Sequence, residues 1–126
     1  MMTPFTFSPQ LNQEYLHAMY ENDLDYAGEV FSIFINETGN DYQALKTLYA
    51  DNDVLGFRQK LHKMKPAFSF VGLTSLTDEC EELIILCDKT SDLKTVKFFW
   101  HELSGKIEQG FDLTAKELNR MKTFTV

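Results

Sequence analysis

From Val54 to Val71, the apolar residues Val54, Phe57, Leu61, Met64, Phe68 and Val71 recur at steps of three and four. That is the spacing of one face of an α-helix. Similar stripes run through Leu24, Ala27, Phe31, Phe34 and Thr38, resuming at Tyr42, Leu45 and Leu48. Others run through Leu73, Leu76, Cys80, Leu83 and Cys87, and through Val96, Trp100, Leu103, Ile107, Leu118 and Met121. No stretch alternates as a strand would. The pattern predicts an all-α fold, an antiparallel four-helix bundle with a short extra N-terminal helix, because short connections place successive helices side by side.

Punctuation residues set the expected boundaries. Pro9 suits the first turn of the short helix, which runs to about Tyr20. Asn22-Asp23 and Asp51-Asn52-Asp53 offer N-caps. Gly39-Asn40 predicts a kink or a junction of two helices, and Gly72 a helix end. Thr74 or Ser75 is the expected cap of the following helix, with Asp78 at capping-box distance from Ser75. Lys89 to Asp92 forms the next turn, and Gly105 and Gly110 weaken the middle of the last helix. Residues 1–126 read as a single domain with a flexible lead-in over 1–9 and a flexible tail over 122–126.

Composition narrows the class. At 126 residues the chain can bury roughly two thirds of its unfolded surface in one core. Eleven Phe and five Tyr against one Trp predict a core built largely of phenylalanine. A formal net charge of −7 argues against nucleic-acid binding, since nothing overall attracts a phosphate backbone. No run approaches the ~20 apolar residues of a membrane span, and the N-terminus has no signal-peptide pattern. Cys80 and Cys87, seven apart on one helix face, lie about 10 Å apart along the axis, beyond disulfide reach. They read as reduced core thiols of a cytoplasmic protein.

Candidate chemistry concentrates in LHKMKPAFSFVG, residues 61–72. Arg58, Lys60, Lys63 and Lys65 put four cations in eight residues with no acid among them. One residue round from the core stripe lies a second one, Arg58, His62, Lys65, Ser69 and Gly72, which sets His62 at the border of the core. An unprotonated imidazole there is a competent nucleophile. Lys65, one turn on, reaches whatever the ring carries. Cations without a carboxylate partner suit a site that accepts a negative group. A solvated polar face that happens to include a histidine is the plainer reading of the same spacing.

The stretch resembles the phosphoacceptor motif of histidine-containing phosphotransfer (HPt) domains. The residues that carry it are His62, Lys63, Met64, Lys65, Pro66 and Ala67, with Gly72 ten positions after the histidine. Asn52, Asp53, Val54 and Phe57 upstream fit the same register, with Asp53 nine before His62, as do Leu76, Cys80, Glu81 and Glu82 downstream. The likeness covers about residues 15–120. Two positions depart from it: Leu61 stands where a small residue is usual, and Pro66 where glycine is. Proline lacks the N–H that would bond the carbonyl of residue 62.

The resemblance implies a phosphorelay carrier. His62 would accept a phosphoryl group on Nε2 from the aspartate of a response-regulator receiver domain, such as that of a hybrid sensor histidine kinase, and pass it on. Lys65 would hold the phosphoryl oxygens. Arg58, Lys63, Pro66, Ser69 and Gly72 would serve the partner surface: Arg58 and Lys63 by steering, Ser69 by a hydrogen bond near the imidazole, Gly72 by close packing of the third and fourth main helices. The carrier would have no kinase activity of its own, no cofactor and no metal; Mg²⁺ would belong to the receiver. A stand-alone cytoplasmic monomer is the expected form. Two alternatives stand beside it. One is a non-catalytic helical interaction module. The other is a metal-binding bundle, for which His17, His62 and His101 are the only histidines and Glu14-x-x-His17 the only such spacing.

Overall fold

A computed structural model describes residues 4–124. Among these every regular element is helical: α1 (Gln13–Tyr20), α2 (Leu24–Ile33), a π-helical turn (Phe34–Thr38), α3 (Gly39–Ala50), α4 (Val54–Phe70), α5 (Thr74–Cys87), a 3₁₀ turn (Leu93–Val96) and α6 (Lys97–Thr123). The helices α2 and α3 are joined without a break through the π turn, so four long rods and short α1 make the bundle. The interruption expected at Gly39 lies just before it. A π turn inserts one extra residue into the helix, which lets α2 and α3 form one rod.

The expected stripes face inward. Phe57, Leu61, Met64 and Phe68 of α4 are buried in one core with Phe31 and Leu45 of the α2–α3 rod, Leu83 of α5, and Leu103 and Ile107 of α6. Trp100 meets Phe57 edge to face at 5.2 Å. Full burial of one such side chain stabilises the fold by roughly 1.5–3 kcal/mol. Gly105 and Gly110 do not interrupt α6. Gly110 is buried, and a Cβ there would lie 2.8 Å from Leu73 Cδ1, so glycine admits the close approach of the α4–α5 connection.

Side-chain caps open α1, α2 and α4, and two helix starts differ from expectation. Asp23 and Asp53 accept hydrogen bonds from the N–H groups of Tyr26 (3.0 Å) and Gly56 (2.9 Å). Pro9 does not open α1. Asn12 does, by accepting from Tyr15 N–H at 3.1 Å, an acceptor that proline cannot supply. Neither Thr74 nor Ser75 caps α5, which starts at Thr74 after Leu73 with no side-chain cap. The reason is the turn before it. Leu73 N–H donates to Phe68 C=O at 2.9 Å and Gly72 N–H to Ser69 C=O at 3.0 Å, closing α4 with a Schellman motif. Gly72 takes the left-handed conformation this requires, at φ +80°, and the chain enters α5 directly.

The lead-in is packed rather than loose from Phe5 onward. Phe5 and Phe7 are buried. Ser8 N–H donates to Glu117 Oε2 at 2.6 Å, Arg120 donates to Thr6 C=O at 2.9 Å, and Gln13 Nε2 to Phe7 C=O at 2.6 Å. At the other end α6 extends through Thr123, and the Phe124 ring meets Phe5 at 5.3 Å. The remainder of the expected flexible ends, residues 1–3 and 125–126, lies outside the described residues.

Candidate functional site

His62 is exposed on α4, while its neighbour Leu61 is fully buried. Helical spacing puts Leu55, Gln59, His62, Pro66 and Phe70 on one outward face, and all five are exposed. Leu55 is 65% and Phe70 45% exposed, so the imidazole stands in a surface with apolar residues on both sides along the helix. α4 continues through Pro66 without a break. The His62 carbonyl therefore lacks the usual donor four residues on, as expected from proline's missing N–H.

α5 completes the surface. Arg58 Nε meets Asp88 Oδ1 at 2.5 Å, Lys65 Nζ meets Glu81 Oε2 at 2.6 Å, and the Ser69 and Thr77 hydroxyls lie 2.8 Å apart. These pairs share one antiparallel register, 58 with 88, 65 with 81 and 69 with 77. The same register sets His62 opposite Ile84, which is buried, and beside Ile85, which is 45% exposed. Thr77 also donates to the Lys65 carbonyl at 3.3 Å, pinning the two helices together one turn past the histidine.

The basic cluster is not free of acids once folded. Asp41 of α3 receives both Lys63 (3.2 Å) and Lys60 (3.4 Å), Glu81 holds Lys65, and Asp88 holds Arg58. Four cations thus face three carboxylates. The sequence reading missed Asp41, Glu81 and Asp88 as members of the site. They come from other helices, and only the bundle's register brings them in. Glu81 is held below the ordinary carboxylate range, first by the hydrogen bond and charge of Lys65, then by the charges of His62 and Arg58. Asp88 in turn raises Arg58 above its ordinary value.

Two further expectations need correcting. Ser69 is engaged with Thr77 on the α5 side rather than with the imidazole. Gly72 is buried and lies off the His62 surface. A Cβ there would fall 2.7 Å from Leu16 Cδ1 and 3.0 Å from Leu11 Cβ, so what glycine admits is α1 and the segment before it, not a closer α4–α5 contact. Asn12 N–H donates to the Gly72 carbonyl at 2.8 Å in the same place.

The other histidines stand apart from this surface: the His17 ring packs on Phe7 at 5.2 Å, and His101 is exposed on α6. Among the described residues no group of three or more His, Cys, Asp or Glu side chains gathers as a metal site would require. Cys80 and Cys87 are buried and unlinked. Among the same residues no helix is long and apolar enough to cross a membrane.

Compared with known protein families, residues 29–117 match the Hpt domain. No curated protein and no solved structure matches the chain.

Proposed function

The chain belongs to the Hpt domain family, and we propose that His62 is its phosphoacceptor in a two-component phosphorelay. In this reading the carrier takes a phosphoryl group from a receiver-domain aspartate and passes it to another. The observation that carries it is an exposed imidazole set among exposed apolar side chains, with a lysine one turn on.

The Nε2 lone pair attacks phosphorus in line, the P–O bond to the aspartate breaks, and its electron pair returns to that carboxylate. Such transfers depend on positioning and charge stabilisation more than on covalent chemistry by the protein. Mg²⁺ and the acidic pocket belong to the receiver, and the carrier has no kinase activity of its own. Lys65 neutralises the transferred group. Leu55, Pro66, Phe70 and Ile85 give the receiver an apolar seat around the imidazole. Arg58 and Lys63 steer its acidic pocket, with their reach reduced by Asp88 and Asp41. We place this carrier in the cytoplasm as a monomer, a setting that suits its two unlinked cysteines.

Incubation with a phosphorylated receiver tests the reading. Acid-labile label on the wild type and none on His62→Gln is expected. A binding-only module is the second reading, favoured by the pairing of all four cations. It predicts a complex with the receiver and no label on the wild type or on His62→Gln.

A further inference from the structure

Lys65 cannot serve a phosphoryl group and Glu81 fully at once. Lys65, one helical turn past His62, has a side chain 27% exposed, and its ammonium already lies 2.6 Å from the half-exposed Glu81 carboxylate. A dianionic group bonded to His62 Nε2 would add a negative charge that competes with the Glu81 carboxylate for Lys65. We propose that Glu81 is the resident counter-ion of Lys65, gives it up when His62 is phosphorylated, and by competing for it sets how readily the carrier releases its phosphoryl group. The inference rests on the reading of His62 as phosphoacceptor and names Glu81 as a positioning residue acting through Lys65.

Two effects of Glu81 have the same sign. Its charge repels the phosphoryl group, and its hydrogen bond withholds the ammonium that would stabilise it. Both raise the free energy of the phosphorylated carrier and favour transfer onward. No bond to Glu81 forms or breaks. Only the ion pair is exchanged while the P–N bond to His62 is made.

The closing experiment has two arms. In the first, the equilibrium between phosphorylated receiver and carrier is measured for wild type, Glu81→Gln, Lys65→Gln and the double variant. Glu81→Gln should shift it toward phospho-His62 by about threefold to tenfold, the scale of a partly exposed charge pair. In the Lys65→Gln background the same change should shift it less. No shift, a shift toward the receiver, or an undiminished shift without Lys65 overturns the hand-over. In the second arm, potassium phosphoramidate phosphorylates the histidine with no protein partner. The NMR scalar coupling between Lys65 Nζ and the Glu81 carboxyl carbon should be present before and lost after; its survival overturns the proposal. Loss of that coupling with no exchange between wild type and receivers would refute the relay reading and leave the ion-pair exchange standing.

Discussion

At Gly72 a single residue combines two demands that only glycine meets. Its φ of +80° is strained for any other residue, and Leu16 and Leu11 close over the space a Cβ would need. Gly72→Ala should lower stability by about 1–3 kcal/mol in denaturant unfolding. Cys80 shows a different residue-scale effect. Burial pushes its thiol up from 9.0 to about 12, so the folded state favours the protonated form. The sign follows: this contribution is fully present below the unfolded value near 9 and is lost as pH rises toward about 12. Ellman's reagent should leave Cys80 unreacted at pH 8 until the chain is unfolded. The sequence set His62 at the border of the core through spacing alone, whereas the fold exposes it on the outward face of α4. It could not place Asp41, Glu81 or Asp88 beside it, because contacts between helices depend on register, and no local pattern encodes that.

At the scale of the element, α4 carries both the strongest core stripe and a proline in its interior. Its six-residue stripe from Val54 to Val71 was legible because every member but Val54 is buried, which gave the periodicity its regularity. Pro66 is tolerated because it stands on the exposed face, where water can serve the carbonyl left without a donor. Pro66→Ala restores one hydrogen bond and loses some unfolded-state restriction. The net expectation is a gain of about 1–2 kcal/mol, less than the ~3 kcal/mol of an interior proline, measured by thermal or denaturant unfolding. The start of α5 was less legible. Ser75 and Asp78 have the spacing of a capping box, yet the Schellman turn at Gly72 brings the chain into helix two residues earlier. A local motif lost to a backbone turn whose geometry was already fixed.

At the scale of the whole molecule, the N-terminal segment is part of the bundle. Phe7 is 1% exposed and packs on His17 and stacks on Phe31, while Glu117 and Arg120 tie the backbone on either side of it to α6. Phe7→Ala should cost about 3–5 kcal/mol in unfolding experiments, with little effect on the His62 surface. Pro4 and Pro9 made this segment read as a loose lead-in, since an extended strap has no period to announce that its aromatics are buried. Its opposite role to α4 is plain in the fold: the strap closes the core, while α4 and α5 leave one face open around His62. The central claim, that this face carries a phosphoryl group on one imidazole, is tested most directly by mapping the phosphate. Protein phosphorylated by a receiver domain, kept at alkaline pH and digested, should show one acid-labile phosphate, on the peptide containing His62. Phosphate on any other residue, or none at all, would contradict it.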